Sequence, residues 1–453
     1  MATLTQVKVR THRRELPNSL GPLIAVFMVL LLLGSMIVVL IVVKAAEPAH
    51  PSPPGAPPSP PPLPDRDWSS YFRTSPLDVS LPDSDMALTF FAHGSCADQR
   101  KQQRFWRTLL NTRPQLFVFN GDIVYGDCAN ASSCEELPTA WRDLFNNDNF
   151  GVARAELPLT GVLDDHDYGQ NDCEASNPHK GFGKEIFLER FGVPSTDARH
   201  SRPGLYTAHT FGPIGRRTQI ILTDSRWFRS RFVPSTCAHA HWPLPAYCLG
   251  QERYVAYNLS DSRGQTMLGE AQWQWLESVL REPADLRLIV STVQVLATGH
   301  GWERWGLIPT EVERLLRLIG TTGARGVVLI SGDRHTGGFY RLPKGQTYDG
   351  GRGGQGTAPY DLIEVTSSSL THSFRTTVDE PASLRLGMLT HQNNFGTVSV
   401  DWDARTVTLD LRASDDCGNS PQAWGQMCTG PGNGTAGKMI LNMTISLDSL
   451  APS

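Results

Sequence analysis

Several features are scarce in this 453-residue sequence, and each scarcity excludes a class of protein. Charged residues make up only 19% of the chain against 40% hydrophobic residues, a balance that excludes a disordered protein. The sequence contains a single long apolar run, which excludes a polytopic membrane protein. Clustered Lys and Arg are missing after residue 50, where acidic residues outnumber basic ones by 43 to 36. This balance argues against a nucleic-acid-binding face and suits a protein that gathers carboxylates around metal ions.

The single apolar run lies near the N-terminus. Leu23 to Val43 carries no charge and, as a helix of roughly 32 Å, would span a bilayer. Most nearby basic residues precede it, so we predict a cytosolic basic tail over 1–22 and a transmembrane signal anchor over 23–43. The remaining chain is then extracellular, lumenal or periplasmic. A cleaved signal peptide is the alternative, because Val43-Lys44-Ala45 resembles a small-residue cleavage site.

A proline-rich stretch follows the apolar run. Ten prolines lie between Pro48 and Pro64, a density that favours an extended polyproline II spacer. We therefore predict a linker over 44–84 and a catalytic domain over 85–450.

Eight cysteines indicate an oxidising compartment and disulfide bonds. Cys237 with Cys248 and Cys417 with Cys428 are candidates for short-loop bridges. Four N-x-S/T sequences predict a glycoprotein if the host glycosylates. They begin at Asn130, Asn258, Asn433 and Asn442.

Short apolar runs that end directly in polar clusters are the most informative pattern. Such runs predict strands buried on both faces, and 270–280 and 310–319 show helical spacing, with Thr310 and Glu313 as a capping box. In open α/β sheets, ligands bind beyond the carboxyl ends of strands, so we expect these clusters to meet at one site. The clusters lie at 93–96, 121–125, 164–167, 224, 291–294 and 331–335.

Four residues in these clusters are ligand types for hard and borderline cations. With Asp122 as a bridge, they would hold two ions about 3.5–4 Å apart, the arrangement used for in-line phosphoryl displacement. The four are Asp122, Asp165, Asp333 and His335.

The thiol of Cys96 and the phenol of Tyr125 indicate which kind of metal ion the site would bind. A thiol and a phenol become anionic ligands at neutral pH only beside a strong Lewis acid. Their presence indicates ferric iron in one of the two positions.

The ordered motifs resemble the alkaline phosphatase D (PhoD-type) metallophosphatase family, which is related to purple acid phosphatases. The resemblance extends from about 87 to 412, and the ordered set is far more specific than any single motif. The motifs are G-S-C at 94–96, G-D-I-V-Y at 121–125, D-D-H-D-Y-G at 164–169 with N-D at 171–172, L-T-D-S-R at 222–226, L-G-E-A-Q-W at 268–273, Q-V-L at 294–296, E-R-W-G at 303–306, S-G-D-R-H at 331–335 and E-V-T-S-S-S-L-T-H at 364–372.

The resemblance implies a four-layer α/β/β/α metallophosphatase sandwich with two metal ions, here preceded by one transmembrane helix. It places Cys96, Asp122 and Tyr125 on Fe³⁺ and Asp165 on the second ion, which is Ca²⁺ or another divalent cation. Asp333 and His335 would complete the metal site.

The resemblance also implies catalytic roles. His166, beside Asp165, would contact the scissile phosphate or protonate the leaving oxygen, and a metal-bound hydroxide would be the nucleophile. Gln294 and His300 occupy positions where relatives place either substrate-contacting residues or residues that support the site from behind. His372 is a third candidate for substrate binding, with a hydrogen-bonded loop histidine as the alternative.

Some residues depart from the family pattern. Asp165 stands where other metallophosphatases carry Asn, and the loop 128–134 looks inserted at the substrate entrance. His93 has no role in this interpretation. If Cys96 is a metal ligand, Cys128, Cys134 and Cys173 share one bridge, either within the 128–134 loop or from that loop to Cys173.

The predicted function is a membrane-anchored, exported phosphoesterase that hydrolyses phosphomonoesters, phosphodiesters or both. We expect a monomer that acts on small phosphate esters and contacts the membrane through its N-terminal helix, without specific nucleic-acid binding. The alternatives are a phospholipase-like or nucleotide-directed phosphodiesterase on the same site, and a catalytically silent cell-surface binding protein.

Overall fold

Two large β-sheets form the framework of the computed structural model, which describes residues 77, 79–238, 248, 253–348, 356–374, 383–415 and 436–452. These residues lie in one unit, Pro58–Ser453. The predicted tail and anchor, most of the predicted linker, Cys417, Cys428 and Asn433 lie outside the described residues. Within the described part of the chain, no helix has both the length and the apolar character needed to cross a bilayer.

The strands of the described residues are numbered in chain order. They are β1 (Phe90–Gly94), β2 (Phe117–Asn120), β3 (Leu159–Val162), β4 (Thr207–Phe211), β5 (Thr218–Leu222), β6 (Val233–Pro234), β7 (Tyr254–Val255), β8 (Leu286–Val290), β9 (Val327–Ser331), β10 (Gly337–Leu342), β11 (Leu362–Ser367), β12 (Arg385–Thr390), β13 (Asn394–Asp401), β14 (Thr406–Ala413) and β15 (Met439–Ser446).

The two large sheets have mixed strand directions. The first sheet has the order β15-β14-β13-β1-β2-β3, and β1, β2 and β3 are parallel to one another. The second has the order β12-β10-β11-β9-β8-β5-β4, with β5, β8, β9 and β11 parallel. β13 and β14 form an antiparallel hairpin, with Asp401 opposite Thr406. β6 and β7 pair separately.

Seven helices of the described residues connect these strands. The predicted capping box at Thr310 is wrong, because the last of the helices begins one residue earlier, at Pro309, whose ring suits a first helical turn. Thr310 Oγ1 instead donates a hydrogen bond to Ser262 O. The helices are α1 (Phe105–Asn111), α2 (Glu136–Phe145), α3 (Asp148–Glu156), α4 (Lys180–Arg190), α5 (Leu259–Ser262), α6 (Glu270–Arg281) and α7 (Pro309–Thr322).

Two apolar cores follow from the alternation of side chains along the strands. In β2, Val118 belongs to a core that includes Ile289 of β8 and Leu315 of α7. Its neighbour Phe119 points to the opposite face and belongs to a second core with Trp141 of α2. The fold is therefore mixed α/β, as predicted, with helices packed on the sheets.

The carboxyl ends of strands from both sheets meet at one edge. Asn120, the last residue of β2, donates a hydrogen bond of 2.8 Å to Ser331 O at the end of β9 and one of 3.1 Å to Ser367 O at the end of β11. Gly332 follows β9 at this junction, where a Cβ atom would lie 2.5 Å from Ser95 Oγ. Only glycine allows the two strand ends to approach so closely.

Candidate metal centre

The loops that follow β1, β2 and β9 bring four predicted ligands together. Ligand atoms of Cys96, Asp122 and His335 lie within 4.8 Å of one another. Tyr125 joins them, since its hydroxyl donates to Asp122 Oδ2 at 3.1 Å and lies 3.1 Å from His335 Nε2. Residues more than 200 positions apart in the sequence therefore share one buried pocket of donor atoms.

A second group of donor atoms adjoins the first. Ligand atoms of Asp122, Asp165 and His166 also lie within 4.8 Å of one another, as do those of Asp164, Asp165 and Asp333. Asp122 belongs to both the thiol-containing group and this acidic group, and Asp165 connects the acidic group to Asp333. All six predicted metal ligands thus lie in one contiguous cluster.

The backbone is unusual at four of these residues. The φ angles are 63° at Cys96, 49° at Asp122, 68° at Asp333 and 50° at His335. Non-glycine residues seldom adopt this left-handed region, and such strain concentrates at functional sites. Tight turns directly after the strands therefore aim these side chains into the junction.

Arg226, which lay within a motif but was not predicted as a site residue, is the main counter-charge of the acidic cluster. Its guanidinium is 1% exposed and pairs with Asp164, with Glu303 at 2.5 Å and with Asp333 at 3.3 Å. It also lies 3.7 Å from Asp165. A buried cation of this kind offsets part of the repulsion between closely spaced carboxylates.

The buried environment raises the pKa of several candidate ligands. Burial, assisted by the neighbouring Asp122 carboxylate, raises the pKa of the Cys96 thiol and of the Tyr125 phenol. Burial likewise raises the pKa of Asp122 and Asp333. Without a bound cation these groups therefore favour their neutral forms, and a cation would have to displace their protons.

The pKa of Asp165 shifts in the opposite direction from the pKa of Asp122 and Asp333. Burial alone would raise its pKa, but Arg226 and His166, together with backbone N–H donors of Asp172 and His166, outweigh burial and lower the pKa. Asp165 is thus the carboxylate of this cluster that stays ionised most readily.

The donor set fits a metal centre. Asp122 Oδ1 and Asp164 Oδ2 are buried and have no hydrogen-bond partner among the described residues. Buried carboxylate oxygens without a partner are rare and call for an ion or water that satisfies them. A thiol, a phenol, an imidazole and several carboxylates also form a plausible set of ligands for two cations.

The Asp167 carboxylate connects the two loops that carry Asp122 and Asp165. Its Oδ1 accepts a hydrogen bond of 2.8 Å from Val124 N, and its Oδ2 accepts one of 2.9 Å from Asp164 N. Burial raises the pKa of Asp167 to about 8. Asp167 belongs to the D-D-H-D motif, but the motif alone does not predict that its carboxylate connects two loops.

His166 lies beside the donor cluster. Its Nδ1 atom lies 2.8 Å from Asp127 Oδ2, and its ring lies against Tyr125 with a centroid distance of 4.3 Å. Two backbone hydrogen bonds hold the loop after Tyr125 against the turn after His166: Gly126 N donates to His166 O, and Cys128 N donates to Gly169 O. Asp127 was not predicted as a site residue.

The described cysteines settle one open pairing. Cys128 is bridged to Cys134, and Cys237 is bridged to Cys248 as predicted. Cys96 and Cys173 are free and buried. The 128–134 loop is therefore closed on itself, and Cys96 carries a free thiol.

A cavity of about 750 Å³ opens over the cluster. Asp122, Tyr125, Asp165 and His166 contribute to its wall, together with the basic residues Arg100, Lys101, Arg253 and Arg334. Asp333, His335, His372, Trp302 and Phe374 also line it. The cavity thus combines acidic donor atoms at its base with basic side chains that suit an anionic substrate.

The three predicted substrate residues differ in position. His372 lines the cavity, with Nε2 at 3.4 Å from the Tyr125 hydroxyl. Gln294 and His300 are buried and do not line it, a position that fits a supporting role rather than substrate contact. The Gln294 amide is fully buried and donates to Tyr340 and Thr366 hydroxyls, and its oxygen lies 3.0 Å from His300 Nε2.

His93 is a buried residue of strand β1 and does not line the cavity. It is 2% exposed, and burial lowers its pKa to about 3, so the ring is neutral. Gly396 on the adjacent strand leaves room for it, because a Cβ there would lie 2.1 Å from His93 Nε2.

The fold and the site define a mixed α/β protein with a candidate metal centre at the carboxyl ends of its strands. A model of the PhoD-like phosphatase family matches residues 91–411. The match spans more than half of the sequence, and the chain belongs to the PhoD-like phosphatase family. Membership supports a metal-dependent phosphatase that acts on small phosphate esters.

One solved structure supports the fold. The structure of PhoD has a TM-score of 0.59 and 16% identity, and covers 83% of this chain and 72% of its own. At this identity the likeness shows the fold alone. The structure of GAP50, the anchor in the inner membrane complex of Plasmodium, has a TM-score of 0.41, 13% identity, and covers 72% of this chain and 85% of its own. No curated protein matches the chain.

Proposed function

We propose that this chain is an exported, membrane-anchored phosphoesterase that hydrolyses phosphomonoesters, phosphodiesters or both with two metal ions. The main support is the position of Asp122, which belongs at once to the group with Cys96 and His335 and to the group with Asp165 and His166. A carboxylate shared by two adjacent donor groups is suited to bridge two cations.

Each donor group suits a different cation. Cys96, Tyr125 and His335, together with Asp122, would hold a ferric ion, because a thiol and a phenol need a strong Lewis acid to lose their protons at neutral pH. Asp165 and Asp333, with the other oxygen of Asp122, would hold Ca²⁺ or another divalent cation. The bound cations would polarise the phosphate group and activate water for attack on phosphorus.

His166 supplies the proton in this proposal. The Asp127 carboxylate fixes Nδ1, and the side chain of His166 lines the cavity. Protonated His166 would contact the phosphate group and donate its proton to the leaving oxygen. Asp165 lies beside it, and its negative charge helps to keep the imidazole protonated.

The basic residues of the cavity would bind the substrate. Arg100, Lys101, Arg253 and Arg334 all line the cavity. Their charges attract phosphate esters, and His372 at the base would help to position the phosphate group.

The arrangement around this site is also proposed. One apolar core contains residues of both large sheets, and the other contains residues of the first sheet and its helices. Together these cores support a four-layer α/β/β/α sandwich over 85–450. The apolar run at 23–43 and the proline-rich spacer support a membrane anchor with the catalytic domain exported. The exposed positions of Asn130, Asn258 and Asn442 suit glycosylation.

The experiment combines metal analysis with hydrolysis of a matched phosphomonoester and phosphodiester. We expect the purified protein to contain two metal ions per chain and to hydrolyse at least one of the esters. Asp122→Asn should lose nearly all activity and retain its circular dichroism spectrum, whereas the exposed control Asp83→Asn should keep both activity and metal. An active Asp122→Asn variant contradicts the bridging role. A metal-free, inactive wild type supports the catalytically silent alternative.

A further inference from the structure

Two aromatic side chains form part of the cavity wall and have no part in the proposed chemistry. Trp302 and Phe374 both line the cavity and are partly exposed. Their rings are stacked, with centroids 6.1 Å apart and planes inclined by 30°. We call this pair the aromatic ledge. Large apolar rings exposed in a cavity are candidate surfaces for the organic part of a ligand.

The aromatic ledge begins at the candidate metal centre. The Phe374 ring lies 4.9 Å from the His335 ring, and Phe374 N donates a hydrogen bond of 2.7 Å to His335 O. Trp302 continues the surface from Phe374. An organic group attached to a phosphate held near His335 would therefore have the aromatic ledge within reach.

Charged neighbours restrain the outer ring. The guanidinium groups of Arg253 and Arg334 lie 5.8 Å and 5.7 Å from the centroid of Trp302, within the range of cation–π contacts. Arg253 is itself held by an ion pair of 2.6 Å with Asp172. A ring restrained before binding loses less conformational entropy when a ligand packs on it.

The cavity is large enough for such a ligand. Its volume of about 750 Å³ lies in the range of pockets that take ligands much larger than inorganic phosphate. The carboxylates at the bottom of the cavity would bind the metal ions, and the basic side chains would bind the phosphate group. The aromatic ledge is left to contact the remainder of the substrate.

We propose that this site prefers phosphate esters whose organic group carries a planar aromatic ring, and that the ring stacks on the aromatic ledge of Trp302 and Phe374. The inference rests on the proposed function and names its substrate class. It makes Trp302 a specificity-determining residue. Stacking of a base or aryl ring on an aromatic side chain contributes about 1–3 kcal/mol, which corresponds to a gain in affinity of roughly 5- to 150-fold.

The first test measures binding without catalysis. Phenylphosphonate and ethylphosphonate carry the same anionic group on a non-hydrolysable bond and differ in the ring. Calorimetry on the metal-loaded protein should give a Kd roughly tenfold lower for phenylphosphonate. Trp302→Ala should bring the ratio of the two constants close to one, and Trp302→Phe should keep part of the preference. Trp275→Ala, a partly buried tryptophan of α6 outside the cavity wall, should leave the ratio unchanged.

The second test measures hydrolysis with a matched pair. Adenosine 5′-monophosphate and ribose 5-phosphate share the same leaving atom, the 5′-oxygen of ribose, and differ in the base. The wild type should show a roughly tenfold lower KM for the nucleotide, and Trp302→Ala should remove that difference. Equal affinity for both phosphonates overturns the inference, even when both esters are hydrolysed. A phosphonate preference that depends on Trp302 supports it even when neither ester is hydrolysed, an outcome that would count against the proposed function instead.

Discussion

The Nδ1 atom of His166 lies 2.8 Å from a carboxylate oxygen of Asp127 at the wall of the cavity. A carboxylate in this position favours a proton on Nδ1 and leaves Nε2 as the nitrogen available to a substrate. Asp127 directly precedes Cys128, whose disulfide closes the adjoining loop, and Cys128 N is bonded to the turn that follows His166. The contact thus joins the proposed proton donor to the inserted loop.

The first prediction concerns this contact. Asp127→Asn preserves the shape of the side chain and removes its charge, so we expect kcat/KM to fall about 10- to 100-fold with metal content retained. The exposed variant Asp83→Asn is the control. Steady-state kinetics and elemental analysis check the prediction, and wild-type kinetics in Asp127→Asn would argue against the orienting role.

The same variant should change the pH dependence. Burial lowers the pKa of His166, but the carboxylates of Asp165, Asp122 and Asp127 outweigh burial and raise it. Removal of the Asp127 charge therefore lowers this pKa. A proton donor is lost as the pH rises through its pKa, so the alkaline limb of the pH–rate profile should move to lower pH. A limb that stays in place would show that His166 is not the proton donor.

The second prediction concerns proton release on metal binding. Burial raises the pKa of the Cys96 thiol, so the metal-free protein holds this proton and a bound cation displaces it. Calorimetric titration in buffers of different ionisation enthalpy should show that Cys96→Ser releases about one proton fewer than the wild type. Cys173→Ser, at the other free and buried cysteine, should release as many protons as the wild type. Equal release from all three proteins would exclude a thiolate ligand.

The third prediction concerns the stability of the metal-free protein. Burial and the nearby charges of Glu303 and Asp165 raise the pKa of Asp172 to about 6, against about 3.9 in an unfolded chain. A raised pKa contributes stability that is complete below the unfolded value and is lost as the pH rises through about 6. Between pH 4 and pH 7, the wild type should therefore lose about 2 kcal/mol more stability than Asp172→Asn. Urea unfolding after chelation measures this difference, and parallel pH curves would refute it.

The fourth prediction concerns the buried counter-charge. Arg226→Met leaves the carboxylate of Asp164 without its main partner and removes one of the two arginines that pair with Glu303, so we expect the metal-free protein to lose about 3–5 kcal/mol of stability. Arg104→Met, at an exposed position, should lose less than 1 kcal/mol, which is typical of surface substitutions. The test is urea unfolding of both variants. A small loss in Arg226→Met would show that the carboxylates are protonated or solvated rather than paired.

The sequence predicted the position of the site well because strand direction constrains it. Cys96, Asp122, Asp165 and Asp333 each follow a short apolar run, and parallel strands of one sheet end at the same edge. The family motifs then supplied their chemistry. Neither argument needed side-chain orientation, because tight turns just after the strands aim Cys96, Asp122 and Asp333 into the same junction.

Other features could not be predicted for physical reasons. Gln294 also follows a strand, but its side chain turns into the core, and nothing in the spacing distinguishes that direction from the cavity. The ion-pair partners of Arg226 lie far from it in the sequence. Asp127 directly precedes the 128–134 loop, which departs from the family pattern. The Thr310 capping box failed because Pro309 extended α7 by one residue.

X-ray diffraction with anomalous scattering from the bound metals would test the central claim most directly. The account predicts two anomalous peaks about 3.5–4 Å apart, with Asp122 contacting both, Cys96 and Tyr125 contacting one, and Asp165 contacting the other. Peaks at other positions, or a loaded crystal with no metal among these side chains, would contradict it.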